Sequence, residues 1–194
     1  MNAPHLEFSE CKTLAEALTD LEDGDLLLYR RRRSAIAVAG RGIHSHAAML
    51  AWWDNCPMVI ETRGRRDARA VTLESQVAAY PGLIDVYKAD PAMVFGYNRR
   101  AAVAYMRSLT GQRYGWLAVW RVAAAHIPVL RWFLRPVTDD AASNGLPPFC
   151  SDGVSQASRL GGGVDPVLSL ADFSTEPADL ARSTFYKFLY TLTG

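Results

Sequence analysis

The stretch that decides the fold reads Pro147-Pro148-Phe149-Cys150-Ser151-Asp152-Gly153-Val154-Ser155-Gln156. The two prolines hold the chain extended, because proline fixes its own φ angle and disfavours helix in the residue before it. The following residues predict a short helix that runs as far as Arg159 and stops at Gly161-Gly162-Gly163. Cys150 is therefore expected at the helix start, where unpaired N–H groups and the helix dipole favour a thiolate. Such a cysteine is a candidate nucleophile that needs a base from elsewhere in the chain.

Length, charge and cysteine content exclude several classes of protein. The 194 residues carry 21 basic and 20 acidic side chains, so the overall charge gives no reason to expect nucleic acid as a partner. The length predicts a single domain, residues 1–194, whose core is large enough to be stable without disulfide bonds or a structural metal ion. Three cysteines without a CxxC pair argue against a disulfide framework or a structural zinc site and favour a reducing compartment. No cofactor and no metal ion are predicted.

No targeting segment is expected from the sequence. Its N-terminus has neither the basic start nor the apolar run of a signal peptide, and the apolar segment 117–134 is interrupted by charged residues and proline. A cytoplasmic protein is therefore expected. Two basic clusters, Arg30-Arg31-Arg32-Arg33 and the arginines between residues 63 and 69, are interpreted first as solvated loops. Attraction to an anionic membrane surface or an anionic substrate is the alternative.

The order of the predicted elements indicates an α+β fold. Strands are predicted in the first half of the chain, at residues 26–29, 45–53, 58–62, 70–73 and 83–87. Helices are predicted at residues 12–21, after residue 72, at 98–109, at 114–125, at the cysteine element and at 176–180. The closing segment 185–192 fits either a strand or a helix. Strands that cluster before helices are typical of α+β proteins.

His46 is the candidate base. It lies on the first strand of a predicted hairpin that turns at Asp54-Asn55, and Glu61 lies on the returning strand. Because side chains alternate between the faces of a strand, Glu61 falls diagonally opposite His46 on the same face, within hydrogen-bonding reach. A carboxylate there fixes the imidazole tautomer and stabilises the imidazolium. If the Cys150 helix packs over this face, the three side chains form a nucleophile, a base and an orienting group.

Two other interpretations of these residues stay open at this point. A lone cysteine is more often a small buried hydrophobe than a nucleophile. His44-x-His46 with Glu61 could instead ligate a metal ion, because an HxH pair in a regular strand places both imidazoles on one face. That site needs a fourth partner or an open water position, and it ranks below the thiol interpretation.

Five short motifs resemble those of the NlpC-type papain-like proteins. They are the opening strand, the histidine strand, the strand with the polar partner, the cysteine motif and the segment after it, in that order: Asp23-Gly24-Asp25-Leu26-Leu27, Ser45-His46-Ala47-Ala48, Val59-Ile60-Glu61, Phe149-Cys150-Ser151-Asp152 and Glu176-Pro177-Ala178-Asp179-Leu180. The order histidine, acid, cysteine resembles the circularly permuted branch, the YiiX/YaeF-like amidases, with lecithin retinol acyltransferases as more distant relatives. The resemblance spans residues 24–180.

The resemblance implies a permuted papain-like fold, in which a small antiparallel sheet, a partly open barrel, packs against helices. It implies Cys150 as nucleophile, His46 as base and Glu61 as orienting group. The implied activity is hydrolysis of an amide or ester bond in a peptide, an N-acyl amino acid or a lipid through an acyl-thioester. An acyltransferase with the same triad and a non-catalytic binding module are the alternatives.

The resemblance also implies a role for Tyr114, in Gly111-Gln112-Arg113-Tyr114, as a hydroxyl donor to the oxyanion. Core packing of this tyrosine is the alternative. The sequence departs from the family pattern at Gly115, where the family has Asp, and at Asp152, where it has Glu. The segment 116–146 contains three tryptophans, which could line an apolar substrate groove or belong to the core.

Overall fold

A computed structural model of the protein describes residues 10–30, 42–64, 67–90, 95–113, 115 and 148–194. Seven strands within these residues form one open sheet: β1 (Cys11–Thr13), β2 (Leu26–Arg30), β3 (His44–Trp53), β4 (Cys56–Arg63), β5 (Asp67–Thr72), β6 (Ile84–Ala89) and β7 (Tyr186–Thr193). Their order across the sheet is β1-β7-β6-β2-β3-β4-β5, and every neighbouring pair is antiparallel except β1 with β7. The α+β class is confirmed, and the sheet is larger than the small antiparallel sheet expected.

The described residues contain five α-helices, and three of them begin after a capping side chain. They are α1 (Leu14–Ala17), α2 (Leu73–Ala79), α3 (Arg99–Ser108), α4 (Cys150–Gln156) and α5 (Pro177–Arg182). The side chains of Thr13, Thr72 and Asn98 each accept a hydrogen bond from the backbone N–H three residues later. The predicted helix 12–21 is shorter than expected at both ends, because its first residues form β1 and the chain turns after Ala17.

Other predicted elements have different outcomes. The closing segment, which fitted a strand or a helix, is the strand β7 and pairs with β6. The predicted helix 114–125 and the apolar segment 117–134 lie outside the described residues. In the part of the chain that the structure describes, no helix has the length and apolar character needed to cross a membrane.

A tight turn sets the register of the strands that carry the candidate site. Asp54 and Asn55 have φ angles of 46° and 64°. Positive φ at both central residues is typical of the two-residue turn that matches the twist of a hairpin. The register that follows pairs Ala48 of β3 with Glu61 of β4, and Glu61 with Arg69 of β5. These three residues therefore lie in a row across three strands, on one face of the sheet.

Each face of the sheet carries its own apolar core. On the face that we call the α4 face, strand residues pack against α3 and α4; these include Leu28, Ala47, Met49, Ile60, Val103, Met106, Val154 and Ala157. On the opposite face, called the α2 face, they pack against α1 and α2; these include Tyr29, Ala48, Leu50, Val59, Ala17, Leu73 and Val77. The centre of β3 is buried on both sides, and each large apolar side chain there stabilises the fold by about 1.5–3 kcal/mol.

The cysteine helix ends as its sequence predicts. After α4 the chain continues as a π-helical turn, Ala157–Gly161, and leaves the helix at Gly163, whose φ is 80°. A Cβ at Gly161 would lie 2.7 Å from the carbonyl oxygen of Ala101 and 2.7 Å from Cβ of Tyr105. Only glycine at this position lets α3 lie so close to the end of the cysteine helix.

Candidate active site

Cys150 is the first residue of α4, and 1% of it is exposed. Its sulfur accepts hydrogen bonds from the backbone N–H groups of Ala47 and Ser151 and is hydrogen-bonded to the ring of His46. Burial raises the pKa of the thiol. The hydrogen bond to His46, the charge of His46 and the two N–H groups outweigh burial, so the thiol pKa lies below its usual value.

Cys150 reaches His46 at the place where two strands separate. Beyond the pair Ala48–Glu61, β3 continues beside β2 alone and β4 continues beside β5 alone. The N–H of Ala47 at this divergence donates to the sulfur. The body of α4 packs on the α4 face, whereas the His46 ring packs on Tyr29 of the α2 face. The cysteine helix therefore packs on the face opposite the His46 ring, and only its first residue, Cys150, contacts the imidazole.

His46 connects the thiol to a carboxylate. Its Nε2 lies 2.6 Å from Oε2 of Glu61, as the diagonal register of the hairpin predicts. Because Nε2 is occupied by Glu61, the hydrogen bond to Cys150 uses Nδ1. Burial lowers the pKa of His46, but the hydrogen bonds with Cys150 and Glu61 raise it to about 9. A raised imidazole pKa beside a lowered thiol pKa favours a thiolate–imidazolium pair at neutral pH.

Glu61 is fully buried and is held by arginine. Its Oε1 accepts hydrogen bonds from Nε and Nη2 of Arg69, at 2.9 and 2.5 Å, and lies 3.5 Å from Nη1 of Arg63. Burial raises the pKa of Glu61. The hydrogen bond and charge of His46, the charge of Arg63 and the hydrogen bond from Arg69 lower it to about 2. The carboxylate is therefore ionised at neutral pH, with one oxygen held by Arg69 and the other facing His46.

The interpretation of the arginines between residues 63 and 69 as a solvated loop is therefore incomplete. Arg63 and Arg69 lie in strands and contact Glu61, whereas Arg65 and Arg66 lie outside the described residues. Sequence reasoning missed Arg69 as a site residue. The available signal was a second hairpin, since β5 pairs antiparallel with β4 and lies with Arg69 opposite Glu61.

Aromatic rings flank the site on the α2 face. The Tyr29 ring lies 5.1 Å from the His46 ring and 5.3 Å from the Tyr80 ring. The guanidinium of Arg63 stacks 5.0 Å from the Tyr80 ring and 5.9 Å from the Tyr29 ring, and its Nη2 donates to the Tyr80 hydroxyl at 2.6 Å. The Tyr29 hydroxyl donates to Oε1 of Gln76 at 3.3 Å. Tyr29 therefore packs between the candidate base and a fixed arginine.

His44 does not join His46. A shift in register pairs Tyr29 with His46 but Arg30 with His44, which breaks the alternation of β3 between the two histidines. The ring of His44 faces Tyr87 on the α4 face, and its Nε2 lies 2.7 Å from Oδ2 of Asp85. The two imidazoles therefore lie on opposite faces and bind different carboxylates. The geometry that the metal interpretation of HxH requires is absent.

Asp152 stabilises the start of the cysteine helix. It occupies the third position of α4, where its carboxylate accepts a hydrogen bond from the N–H of Phe149, the N-cap residue. Its Oδ1 also accepts from Nε2 of Gln156 at 2.8 Å. Burial raises the pKa of Asp152 to about 7 despite these hydrogen bonds.

Tyr114 lies outside the described residues, and so does the segment 116–147. The flanking backbone is described: Gly111 N–H donates to Ala68 O at 2.7 Å, and Ala68 N–H donates to Gln112 O at 2.9 Å. On the other side, Gly115 N–H donates to Pro148 O at 3.1 Å. The role of Tyr114 as an oxyanion donor stays a prediction.

Comparison with known proteins shows a shared fold. No family model and no curated protein matches the chain. Among solved structures, it is similar to the crystal structure of the metalloprotein YiiX from Escherichia coli O157:H7, with a TM-score of 0.60 and 14% sequence identity. The match covers 88% of this chain and 97% of that chain. At this identity the likeness shows the fold alone, and it agrees with the YiiX-like part of the resemblance.

YiiX is a metalloprotein, but the described residues of this chain do not fit a metal ion. His46 and Glu61 bond to each other, and His44 bonds to Asp85. The other Glu61 oxygen is held by Arg69, a cation that disfavours a metal ion at the same carboxylate. No group of three or more His, Cys, Asp or Glu side chains in the described ranges could hold a metal ion.

Proposed function

We propose that this protein is a thiol hydrolase that cleaves an amide or ester bond through Cys150, His46 and Glu61. The observation that carries the proposal is the continuous contact from the Cys150 sulfur through the His46 ring to Glu61 Oε2, the last step being 2.6 Å. The order of these residues along the chain, with the shared YiiX fold, supports a permuted papain-like arrangement. The resemblance favours an amide bond, in a peptide, an N-acyl amino acid or a lipid.

The proposed reaction has two halves. The Cys150 thiolate attacks the carbonyl carbon, and the C=O electrons move onto oxygen. As the tetrahedral intermediate collapses, the bond to the leaving group breaks and the His46 imidazolium gives that group its proton, which leaves an acyl-thioester. His46 then takes a proton from water, which attacks the thioester and releases the acid and the thiolate.

Two parts of the site stabilise charge during this reaction. Glu61 stays ionised and stabilises the imidazolium, so the thiolate is present before substrate arrives. Backbone N–H groups in the first turn of α4, which have no carbonyl partner within the helix, are the proposed donors for the oxyanion. Tyr114 is the proposed second donor.

Alkylation by iodoacetamide tests the activated thiol. Cys11 and Cys56 are exposed, so a Cys11→Ser/Cys56→Ser background leaves Cys150 as the single thiol. In this background we expect Cys150 to react at pH 6 at least about tenfold faster than a free thiol, since a thiol of ordinary pKa is almost entirely protonated there. His46→Ala should remove the advantage. A Cys150 that reacts no faster than a free thiol, at a rate that His46→Ala leaves unchanged, would overturn the proposal.

An activated ester tests the covalent step. A p-nitrophenyl acyl ester should release a burst of nitrophenol equal to the concentration of Cys150, followed by slower turnover. Mass spectrometry of the acid-quenched protein should place the acyl group on Cys150. An acyl group elsewhere, or a burst that survives Cys150→Ser, would contradict the mechanism.

A further inference from the structure

The charges beside Cys150 and His46 do not balance. Glu61 carries one negative charge, and Arg63 and Arg69 each carry a positive charge within 4 Å of its Oε1. Cys150 and His46 together contribute no net charge, whether the proton lies on sulfur or on the imidazole. The group of five side chains therefore has an excess of positive charge.

Arg63 is the side chain whose positive charge is left uncompensated. Arg69 places two N–H donors on Oε1 of Glu61, at 2.9 and 2.5 Å, and His46 takes Oε2. Glu61 is thus satisfied without Arg63, whose closest approach to the carboxylate is 3.5 Å. The guanidinium of Arg63 keeps donors that the Tyr80 hydroxyl does not occupy.

Arg63 is also fixed in place and reachable. It donates to Tyr80 at 2.6 Å and stacks on two tyrosine rings, while 25% of its side chain is exposed. A guanidinium already held in one orientation loses little rotational freedom when it binds a ligand. Arg63 and His46 share two neighbours: both contact Glu61, and the Tyr29 ring packs against both.

We propose that Arg63 is an anion subsite that binds a carboxylate of the substrate beside the bond that Cys150 attacks. The planar guanidinium fork matches a carboxylate, and partial burial strengthens a charge-assisted hydrogen bond. The inference rests on the proposed function and narrows its substrate class. It favours N-acyl amino acids and peptides with a carboxylate next to the scissile amide over neutral lipid esters.

Two alkylating reagents that differ in one charge test the subsite. Iodoacetate and iodoacetamide both react when the thiolate forms a C–S bond and iodide leaves, but only iodoacetate carries a carboxylate. The measured quantity is the ratio of the iodoacetate rate to the iodoacetamide rate at Cys150, in the background without Cys11 and Cys56 and relative to 2-mercaptoethanol. The imidazolium of His46 raises this ratio in every variant that keeps the ion pair, so the comparison between variants isolates Arg63.

We expect Arg63→Gln to lower the ratio by about tenfold, which corresponds to the loss of one hydrogen bond to a charged group. Arg63→Lys keeps the charge without the fork and should give an intermediate ratio. Arg100→Gln removes an exposed arginine from α3 and should leave the ratio unchanged. The subsite would be overturned if the Arg63→Gln ratio stayed within twofold of the ratio in the unsubstituted protein while Cys150 was still activated towards iodoacetamide. That result would leave the proposed function standing.

A measurement without substitution at Arg63 covers the case in which these variants fail to fold. Acetate should protect Cys150 against iodoacetamide in a saturable manner, whereas acetamide at equal concentration should not. Equal protection by both, or by neither, would overturn the subsite. An unactivated Cys150 in the unsubstituted protein would overturn the proposed function and the subsite together, so the two failures are distinguishable.

Discussion

Two histidines of one strand, two residues apart, each bind a buried carboxylate that is held by arginine. The His46 set consists of His46, Glu61 and Arg69, with a histidine–carboxylate distance of 2.6 Å. The His44 set consists of His44, Asp85 and Arg30, with a distance of 2.7 Å. Both carboxylates are at most 1% exposed. By contact geometry alone, the two sets are nearly the same.

The sets differ in what lies around the histidine ring. The second ring nitrogen of His46 meets the Cys150 sulfur, whereas the His44 ring packs against Tyr87. Asp85 receives a further hydrogen bond from Thr191 Oγ1 at 2.7 Å, which ties the His44 set to β7. A histidine–carboxylate–arginine set is therefore no sign of catalysis by itself. The neighbouring thiol turns the same arrangement into a candidate active site.

The largest difference between the sets should appear when the histidines are replaced. His46→Gln should lower hydrolysis by about a thousandfold, because the reaction loses its general acid and base. His44→Gln should change the rate by less than about tenfold and cost about 1–2 kcal/mol of stability, because a buried hydrogen bond to Asp85 is lost. Rates on the p-nitrophenyl ester and urea unfolding would measure both. Equal loss of activity in the two variants would contradict the assignment of roles.

Replacing the carboxylates should give the next largest difference. Glu61→Gln should reduce hydrolysis by about a hundredfold, because the imidazolium loses its stabilising charge. Asp85→Asn should leave most of the activity and cost about 2–4 kcal/mol, since the buried ends of Arg30 and His44 lose their partner. Steady-state kinetics and thermal unfolding of the matched pair separate the two roles. A Glu61→Gln protein with full activity would show that His46 needs no carboxylate.

The pH profile should sharpen the comparison. The Cys150 pKa is lowered and the His46 pKa is raised to about 9, so the ion pair exists from below the usual thiol pKa up to about pH 9. Hydrolysis should fall about tenfold per pH unit above that limit, because the imidazolium no longer supplies a proton. His44→Gln should keep this limb, whereas Glu61→Gln should move it to lower pH. If His44→Gln shifted the alkaline limb of the pH–rate profile as far as Glu61→Gln does, the two histidine sets would not differ in their role.

The smallest expected difference concerns the arginines. Arg69→Gln should lower hydrolysis by about fivefold, because Glu61 keeps its charge near neutral pH but loses the fork that directs Oε2 towards His46. Arg30→Gln should affect unfolding more than turnover. Arg69→Lys, which keeps the charge without the fork, should recover only part of the rate. Full recovery by lysine would show that charge alone matters at this position.

Local patterns allowed much of the site to be located in advance. The alternation of β3, the Asp54-Asn55 turn and the short returning strand predict that Glu61 lies diagonally opposite His46, and the structure has this register. The prolines before Phe149 and the glycines after Leu160 predict the limits of the cysteine helix, within two residues at its end. The hairpin register and the helix limits depend on residues that are close in sequence, so they can be predicted from the sequence alone.

What the sequence by itself determined is the hairpin, the helix starts and the α+β order, since turns, caps and periodicity act over a few residues. The tertiary structure alone decided which face the cysteine helix covers, where β3 and β4 separate and that His44 turns away from His46. Each of these depends on contacts between distant segments, and a single register shift moves a side chain to the other face.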